Sequence, residues 1–292
     1  MTLLDRLAWG LLPAVPVPFR GEMLDAGAQH RYARWMAGMP GAGVAVWAHT
    51  GRGPYLTPAQ RALVIRSWRE AMPERVIVAG ARDEAMAAEA QQGGADALLA
   101  FPASDDPVGH HRRLGRHLPV IAFLLYDAAG GVAYDDATLH AILELPAVVG
   151  IKVATLDSVL TFQRVAAVCR HHPDKLLITG EDRFLGYSLL CGARGALLGM
   201  GAALPDLQAD LLRACADEDW PRFIALSDRC DRFSQVTFIA PMEGYIRRML
   251  WAAAAEGAIP KAACDDPWGP PLPDPERAAV EAQVRIARAA RG

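Results

Sequence analysis

Residues 120–126 read Val-Ile-Ala-Phe-Leu-Leu-Tyr, and residues 148–152 read Val-Val-Gly-Ile-Lys. Each run is apolar until its last position and then ends on one reactive side chain. Runs with no polar face suit parallel strands covered on both sides by other layers. Six more runs of this kind flank them: LLPAVPV (11–17), GVAVWA (43–48), RVIVAG (75–80), ALLAF (97–101), LLITG (176–180) and GALLGM (195–200).

The intervening segments carry helix signals. Thr57-Pro58 supplies an N-cap and a proline at the first helical position ahead of Ala59–Met72. Asp83–Gln92 stops at Gly93-Gly94. Asp25–Gly38, Pro107–His117, Asp135–Leu143, Ser158–His171, Arg183–Cys191 and Pro205–Cys215 complete the series. Eight strands alternating with eight helices predict an α/β fold, a (β/α)8 TIM barrel over residues 1–216. A C-terminal helical extension over 217–292 follows, with helices at Asp219–Ser234, Met242–Glu256 and Pro275–Arg291. The competing doubly wound sheet calls for a glycine-rich turn after its first strand, and Pro16-Val17-Pro18-Phe19 is unlike one.

Composition narrows the function classes. The chain has 292 residues, 52% of them hydrophobic and 22% charged, so it has material for a large core. A net charge of −3 without a basic block argues against nucleic acid as a partner. The longest uncharged stretch, Trp35–Gly51, is interrupted by Pro40 and several glycines, so no membrane span is expected. Five scattered cysteines form no C-x-x-C pair, which argues against a disulfide framework or a cysteine zinc site and fits a cytoplasmic protein. The opening, with acidic Asp5 and no basic region, reads poorly as a signal peptide.

In a (β/α)8 barrel the chemistry gathers at the carboxyl ends of the strands. Lys152 stands there behind Val148–Ile151. Desolvation favours its neutral amine, a nucleophile that forms Schiff bases with ketones. The alternative is a lysine paired with a carboxylate such as Asp127 or Glu181. Tyr126 offers a phenol for proton transfer, or it caps the barrel with its hydroxyl in water. His49-Thr50-Gly51 offers an imidazole, a hydroxyl and backbone N–H groups to a substrate carboxylate, or it is an ordinary loop. Arg52, Arg82 and Arg183 fall near the mouth and suit an anionic substrate, or they pair with surface carboxylates. Glu181 ends the seventh run and is a further candidate for substrate binding. The adjacent pairs His110-His111 and His171-His172 point about 100° apart on a helix, which makes poor joint metal ligands and suggests surface residues. Gly192–Gly201 reads as close packing rather than a phosphate site.

In combination these segments resemble the dihydrodipicolinate synthase / N-acetylneuraminate lyase superfamily of class I Schiff-base lyases. Val17-Pro18-Phe19 matches its T-P-F opening, Ala48-His49-Thr50-Gly51-Arg52 its G-[ST]-[TN]-G-E turn, and Leu56–Arg61 its L-[ST]-x-x-E-R helix start. Val76–Gly80 matches V-I-x-G, Tyr126–Ala129 matches Y-N-x-P, Gly150–Ala154 matches G-I-K-[ED]-[AS], and Thr179–Asp182 matches [ST]-G-[DE]-[DE]. The order holds from residue 10 to about 205.

The resemblance implies that Lys152 is the Schiff-base lysine and Tyr126 the proton-relay tyrosine assisted by Thr50. It places His49 and Thr50 at the substrate carboxylate. No metal or separate cofactor is expected, since the covalent lysine imine serves as electron sink. It implies a small 2-keto acid as the molecular partner and a homodimer or homotetramer. The chain departs from the synthase at three places. Arg52 replaces the glutamate of the turn, Pro102-Ala103-Ser104 replaces a tyrosine pair, and no arginine follows Tyr126 before Arg164. The reading is therefore aldol cleavage, condensation or dehydration of a 2-keto-3-deoxy acid. The alternatives are 4-hydroxy-tetrahydrodipicolinate synthase of lysine biosynthesis and a non-catalytic keto-acid-binding barrel.

Overall fold

The computed structural model describes residues 2–156 and 158–290. Helix α1 (Leu3–Leu7) precedes strand β1 (Leu11–Pro13), and a hairpin of β2 (Phe19–Arg20) and β3 (Met23–Leu24) leads into α2 (Ala26–Ala37). Strands and helices then alternate: β4 (Gly43–Val46), α3 (Pro58–Ala71), β5 (Val76–Ala81), α4 (Glu84–Gln92), β6 (Ala97–Ala100) and α5 (Pro107–Leu114). They continue through β7 (Val120–Leu125), α6 (Asp136–Leu143), β8 (Val148–Ala154), α7 (Val159–Cys169), β9 (Leu176–Thr179), α8 (Leu185–Leu190), β10 (Ala196–Leu198) and α9 (Pro205–Ala216). Three helices follow: α10 (Trp220–Thr237), α11 (Tyr245–Ala255) and α12 (Asp274–Ala289). Arg291, the expected end of the last helix, lies outside the described residues.

All eight apolar runs contain a strand of one parallel sheet, in the order β1-β10-β9-β8-β7-β6-β5-β4. A bridge between Ala14 and Ala45 joins the two ends and closes a (β/α)8 barrel. The signal before α3 works as read: Thr57 Oγ1 accepts from the Gln60 N–H and Gln60 Oε1 accepts from the Thr57 N–H, with Pro58 at the first position.

Alternation along the strands sorts side chains to two sides. Val78, Leu99, Ile121, Phe123, Leu125, Ile178 and Leu197 share one cluster, the barrel interior. Ile77, Leu98, Ala122, Leu124, Ile151, Val153 and Leu177 belong to the other, between strands and helices. On β8, Ile151 and Val153 face the helices while Ala154 joins the interior cluster. Lys152 shares the parity of Ala154, so its side chain belongs inside.

Two features escaped the sequence reading. The short hairpin β2–β3 lies between the first apolar run and Asp25, where the sequence signals no element. Helix α1 is the other: Leu7 belongs to the interior cluster and Leu3 and Leu4 pack against it, so α1 covers one end of the barrel. The pair His110-His111, expected at the surface, is buried. His110 Nε2 lies 3.0 Å from the Phe101 carbonyl and His111 Nδ1 lies 2.7 Å from the Pro107 carbonyl. Helix α5 turns both rings toward the barrel layer, and these carbonyls give each a partner.

The C-terminal helices are fastened to the barrel. Helix α10 packs on α8 and α9, and α12 packs on α10 and α11. Arg248 of α11 is fully buried. It donates to the Ile239 carbonyl at 2.8 Å and to Glu276 Oε2 of α12 at 2.7 Å. The turn between α10 and α11 is thereby held in place, and that turn reaches the barrel mouth. Among the described residues no helix is long and apolar enough to cross a membrane.

Candidate active site

Lys152 is paired in register with Phe123 of β7 and Ile178 of β9. Its Nζ lies 4.2 Å from the centroid of the Phe123 ring. Gly180 makes room for the lysine stem: a Cβ there would stand 2.4 Å from Lys152 Cε. Neither carboxylate anticipated as a partner neutralises the amine directly. Asp127 is exposed. Glu181 turns to the loop after β8, where it accepts from the Thr155 N–H at 2.9 Å and the Leu156 N–H at 3.1 Å. Burial raises the Glu181 carboxyl to about 7 despite these donors.

The acid that couples to the lysine is Asp182, the next residue. It is buried and accepts from the Met200 N–H at 2.7 Å. Burial pushes the Lys152 amine down toward its neutral form, against the opposing fields of Asp182 and Glu181. Burial likewise pushes the Asp182 carboxyl up, against hydrogen bonding and the lysine charge. The two therefore titrate as a pair, with the neutral amine and neutral acid both accessible.

A small cavity of about 20 Å³ opens in front of Lys152. That is room for about one water molecule and well below the roughly 300–1,000 Å³ of small-molecule sites, so a substrate enters only as the lining side chains move apart. Thr50, His49, Tyr126 and Lys152 all line it, together with Asp182, Tyr245, Phe123, Leu125 and Phe238. Four side chains singled out from the sequence thus converge from three strand ends.

The other four have different places. The Gly51 N–H is bonded to the Ala48 carbonyl at 3.0 Å. A Cβ on Gly51 would stand 2.9 Å from the Val15 carbonyl oxygen, so the residue shapes the turn. Arg52 is buried and held by two acids: Nη2 donates to Asp266 Oδ2 at 2.8 Å, and Nη1 to Glu243 Oε2 at 2.8 Å. Arg82 is exposed beside Asp83, 3.5 Å away, and lies outside the cavity. Glu181 also lies outside the cavity wall and holds the loop that carries Leu156, which is part of that wall.

Two residues far along the chain complete the mouth. Tyr245, at the start of α11, places its hydroxyl 2.9 Å from Thr50 Oγ1 and stacks on Phe238 with ring centroids 4.8 Å apart. Glu243, in the preceding turn, accepts from the Tyr126 hydroxyl and lies 2.9 Å from His49 Nε2. His49 Nε2 is 3.1 Å from the Tyr126 oxygen, so phenol, imidazole and carboxylate form a triangle. Burial works to raise the Glu243 carboxyl, but His49, Tyr126 and Arg52 outweigh it and hold the pKa at about 2. Burial, reinforced by Tyr245 and Glu243, pushes the Tyr126 phenol well above its ordinary value. Burial does the same to Tyr245. Neither Glu243 nor Tyr245 was reached from the sequence, because no motif marks the turn at 238–245.

No protein-family model matches the chain. Curated relatives do. A 4-hydroxy-tetrahydrodipicolinate synthase of Roseobacter denitrificans is 27% identical over 302 residues, covering 95% of this chain and 98% of the relative. Among solved structures, a monomeric dihydrodipicolinate synthase variant superposes with a TM-score of 0.85 at 16% identity, covering 99% of each chain. The N-acetylneuraminate lyase of Mycoplasma synoviae superposes with a TM-score of 0.78 at 15% identity, covering 97% of this chain and 98% of the other. At these identities the superpositions speak to the fold.

Proposed function

We propose that the chain is a lyase of the dihydrodipicolinate synthase / N-acetylneuraminate lyase superfamily, as its similarity to the curated synthases supports, and that it condenses Lys152 with pyruvate or a longer 2-keto acid. The observation that carries this reading is the state of Lys152. It is a lysine buried at a barrel strand's end, over an aromatic face, with a cavity before it.

The Nζ lone pair attacks the C2 carbonyl carbon, and the carbinolamine loses water to give an imine. Asp182 stands ready to take the ammonium proton, which frees the amine for this attack. The Thr50 hydroxyl, with Tyr245 behind it, donates to the substrate carboxylate. The protonated imine withdraws electrons from C3. Either the C4 hydroxyl loses its proton and the C3–C4 bond breaks, releasing an aldehyde and leaving an enamine, or C3 loses a proton and the C4 hydroxyl leaves as water; protonation of the enamine in the first case and hydrolysis of the lysine imine in both then free the product. Tyr126 carries protons to and from the reacting oxygen. No metal and no separate cofactor takes part in this scheme.

The reaction we favour is cleavage or dehydration of a 2-keto-3-deoxy acid. The curated relatives carry the name of the lysine-pathway synthase, whose second substrate brings its own carboxylate. In this chain no arginine lies between Tyr126 and Arg164, and the groups beside Tyr126 include the Glu243 carboxylate. A missing charge-assisted hydrogen bond costs about 1.5–3 kcal/mol, roughly ten- to two-hundredfold in specificity.

The test is borohydride reduction in the presence of pyruvate, followed by peptide mapping. An adduct on Lys152 is expected, and its absence refutes the imine. A panel of 2-keto-3-deoxy acids, assayed for pyruvate release and for water loss, then names the reaction. If aspartate semialdehyde gave a kcat/KM of about 10⁵ M⁻¹s⁻¹ and the deoxy acids gave none, the lysine-pathway assignment would replace this one.

A further inference from the structure

We propose that Glu243 is a positioning residue that sets the direction of the Tyr126 proton, turning the phenol oxygen toward the substrate as an acceptor. The proposal rests on the imine reading above and adds to it a group from outside the barrel.

A phenol has one proton. Here it points at Glu243 Oε1, a carboxylate oxygen that also lies 2.9 Å from His49 Nε2. The second oxygen of Glu243 accepts from Arg52 Nη1 at 2.8 Å. Three donors from two strand ends therefore meet on one carboxylate, which stays ionised. With its proton committed there, Tyr126 presents lone pairs to the cavity. It can accept the hydrogen bond of a carbinolamine hydroxyl or an iminium N–H. The other charged and titratable groups around this cluster, among the described residues, include Lys152, Tyr245 and Asp182 in the same cavity wall and Asp266, bound to the far side of Arg52.

Glu243 is well placed to act through Tyr126 rather than directly. It does not line the cavity, whereas Tyr126 and His49, which it contacts, do. Its own position is fixed independently of them, since the turn at 242–244 lies between Arg248, which ties down Ile239 and Pro241, and Tyr245 on α11. A carboxylate delivered by a rigid turn gives the phenol a fixed partner, so the hydroxyl does not rotate between competing acceptors.

The test compares Glu243→Gln, Tyr126→Phe and the double variant in the full chain, with the best 2-keto acid from the panel. Gln keeps the shape and removes the charge. Glu243→Gln is expected to lower kcat by about ten- to a hundredfold, below the usual range of about 10²–10⁴ for a direct acid–base group. KM should stay within about threefold, and borohydride trapping on Lys152 should persist. Losing the carboxylate also removes a charge that disfavours phenolate, so the alkaline limb of the kcat profile should move to lower pH. The decisive readout is the double variant: acting through Tyr126, Glu243→Gln should cost nothing further in the Tyr126→Phe background. If Glu243→Gln destabilises the chain, Glu243→Asp serves instead, keeping the charge but losing the reach to Tyr126. Additive losses, or a kcat and pH profile equal to the parent's, overturn the proposal while trapping still proceeds. Failure of the parent chain to trap pyruvate at all removes the imine reading and this assignment with it.

Discussion

Replacing Arg52 with alanine separates two roles that the sequence leaves open. As a substrate anchor, Arg52 would contribute to KM and little to stability. The structure gives it a different load. Its guanidinium makes a two-pronged contact with Asp266, at 3.1 and 2.8 Å, and a third bond to Glu243. The Arg52 and Asp266 side chains are 5% and 1% exposed. Alanine leaves Asp266 buried without its cation, and breaking a buried pair in this way costs about 3–5 kcal/mol. Unfolding entropy of about 2.1 cal/mol/K per residue amounts to roughly 0.6 kcal/mol/K for 292 residues. The melting temperature should therefore fall by about 5–8 °C.

Calorimetry of Arg52→Ala alongside steady-state kinetics measures both roles at once. The double variant Arg52→Met/Asp266→Leu removes the pair together and should recover most of the lost stability, since an apolar replacement of a buried pair is often neutral or better. Both variants should lose kcat, because Glu243 loses one of its donors. A melting temperature within about 1 °C of the parent's, with a raised KM as the only defect, would refute the structural role and return Arg52 to the substrate.

Tyr126→Phe should lower kcat by about a hundredfold or more while trapping continues at a reduced rate; an unchanged kcat would leave the phenol a structural cap. Lys152→Ala should abolish both turnover and trapping with little change in melting temperature, and activity within about tenfold of the parent ends the Schiff-base reading. Burial favours the neutral amine, so the free nucleophile accumulates as pH rises through a lowered pKa. The trapping rate should accordingly reach its midpoint below the ordinary lysine value of 10.5, and a midpoint at or above that value contradicts the desolvation argument. Gly180→Ala places a methyl 2.4 Å from Lys152 Cε and 2.7 Å from the Ala154 Cβ. It should cost about 1–3 kcal/mol of stability and slow trapping, and parent-like values for both would show that the lysine stem has room to move.

The barrel was legible because its determinants are local. Each strand is a run of apolar residues that must be covered on both sides, and caps such as Thr57 lie next to the helices they start. The ends of those runs also name Lys152, Tyr126, His49 and Thr50, since a strand's last inward side chain meets the cavity. What stayed hidden depends on distance along the chain. Arg52 looks like a mouth cation until Asp266, 214 residues later, is seen to be its partner. Glu181 and Asp182 are neighbours with similar chemistry, and only the fold shows which one lines the cavity with Lys152 and which one holds the loop at Thr155. His110 and His111 read as solvent-facing because nothing local announces the carbonyls that receive them.

The same contrast explains how the site is divided between the two parts of the chain. The strand ends supply Lys152, Tyr126, His49 and Thr50 to the cavity wall, and short-range periodicity aims them. The turn at 238–245 supplies their partners: Glu243 for Tyr126 and His49, Tyr245 for Thr50, at separations of 117, 194 and 195 residues. Arg248 holds that turn from behind, with its guanidinium spread over the carbonyls of Ile239, Ala240 and Pro241 and the carboxylate of Glu276. An unpaired guanidinium at that depth is costly, so Arg248 is satisfied only when the turn and α12 are both docked. Docking of the C-terminal helices therefore also places Glu243 and Tyr245 beside Tyr126, His49 and Thr50. The helices beyond the barrel therefore shape the cavity mouth as well as the fold.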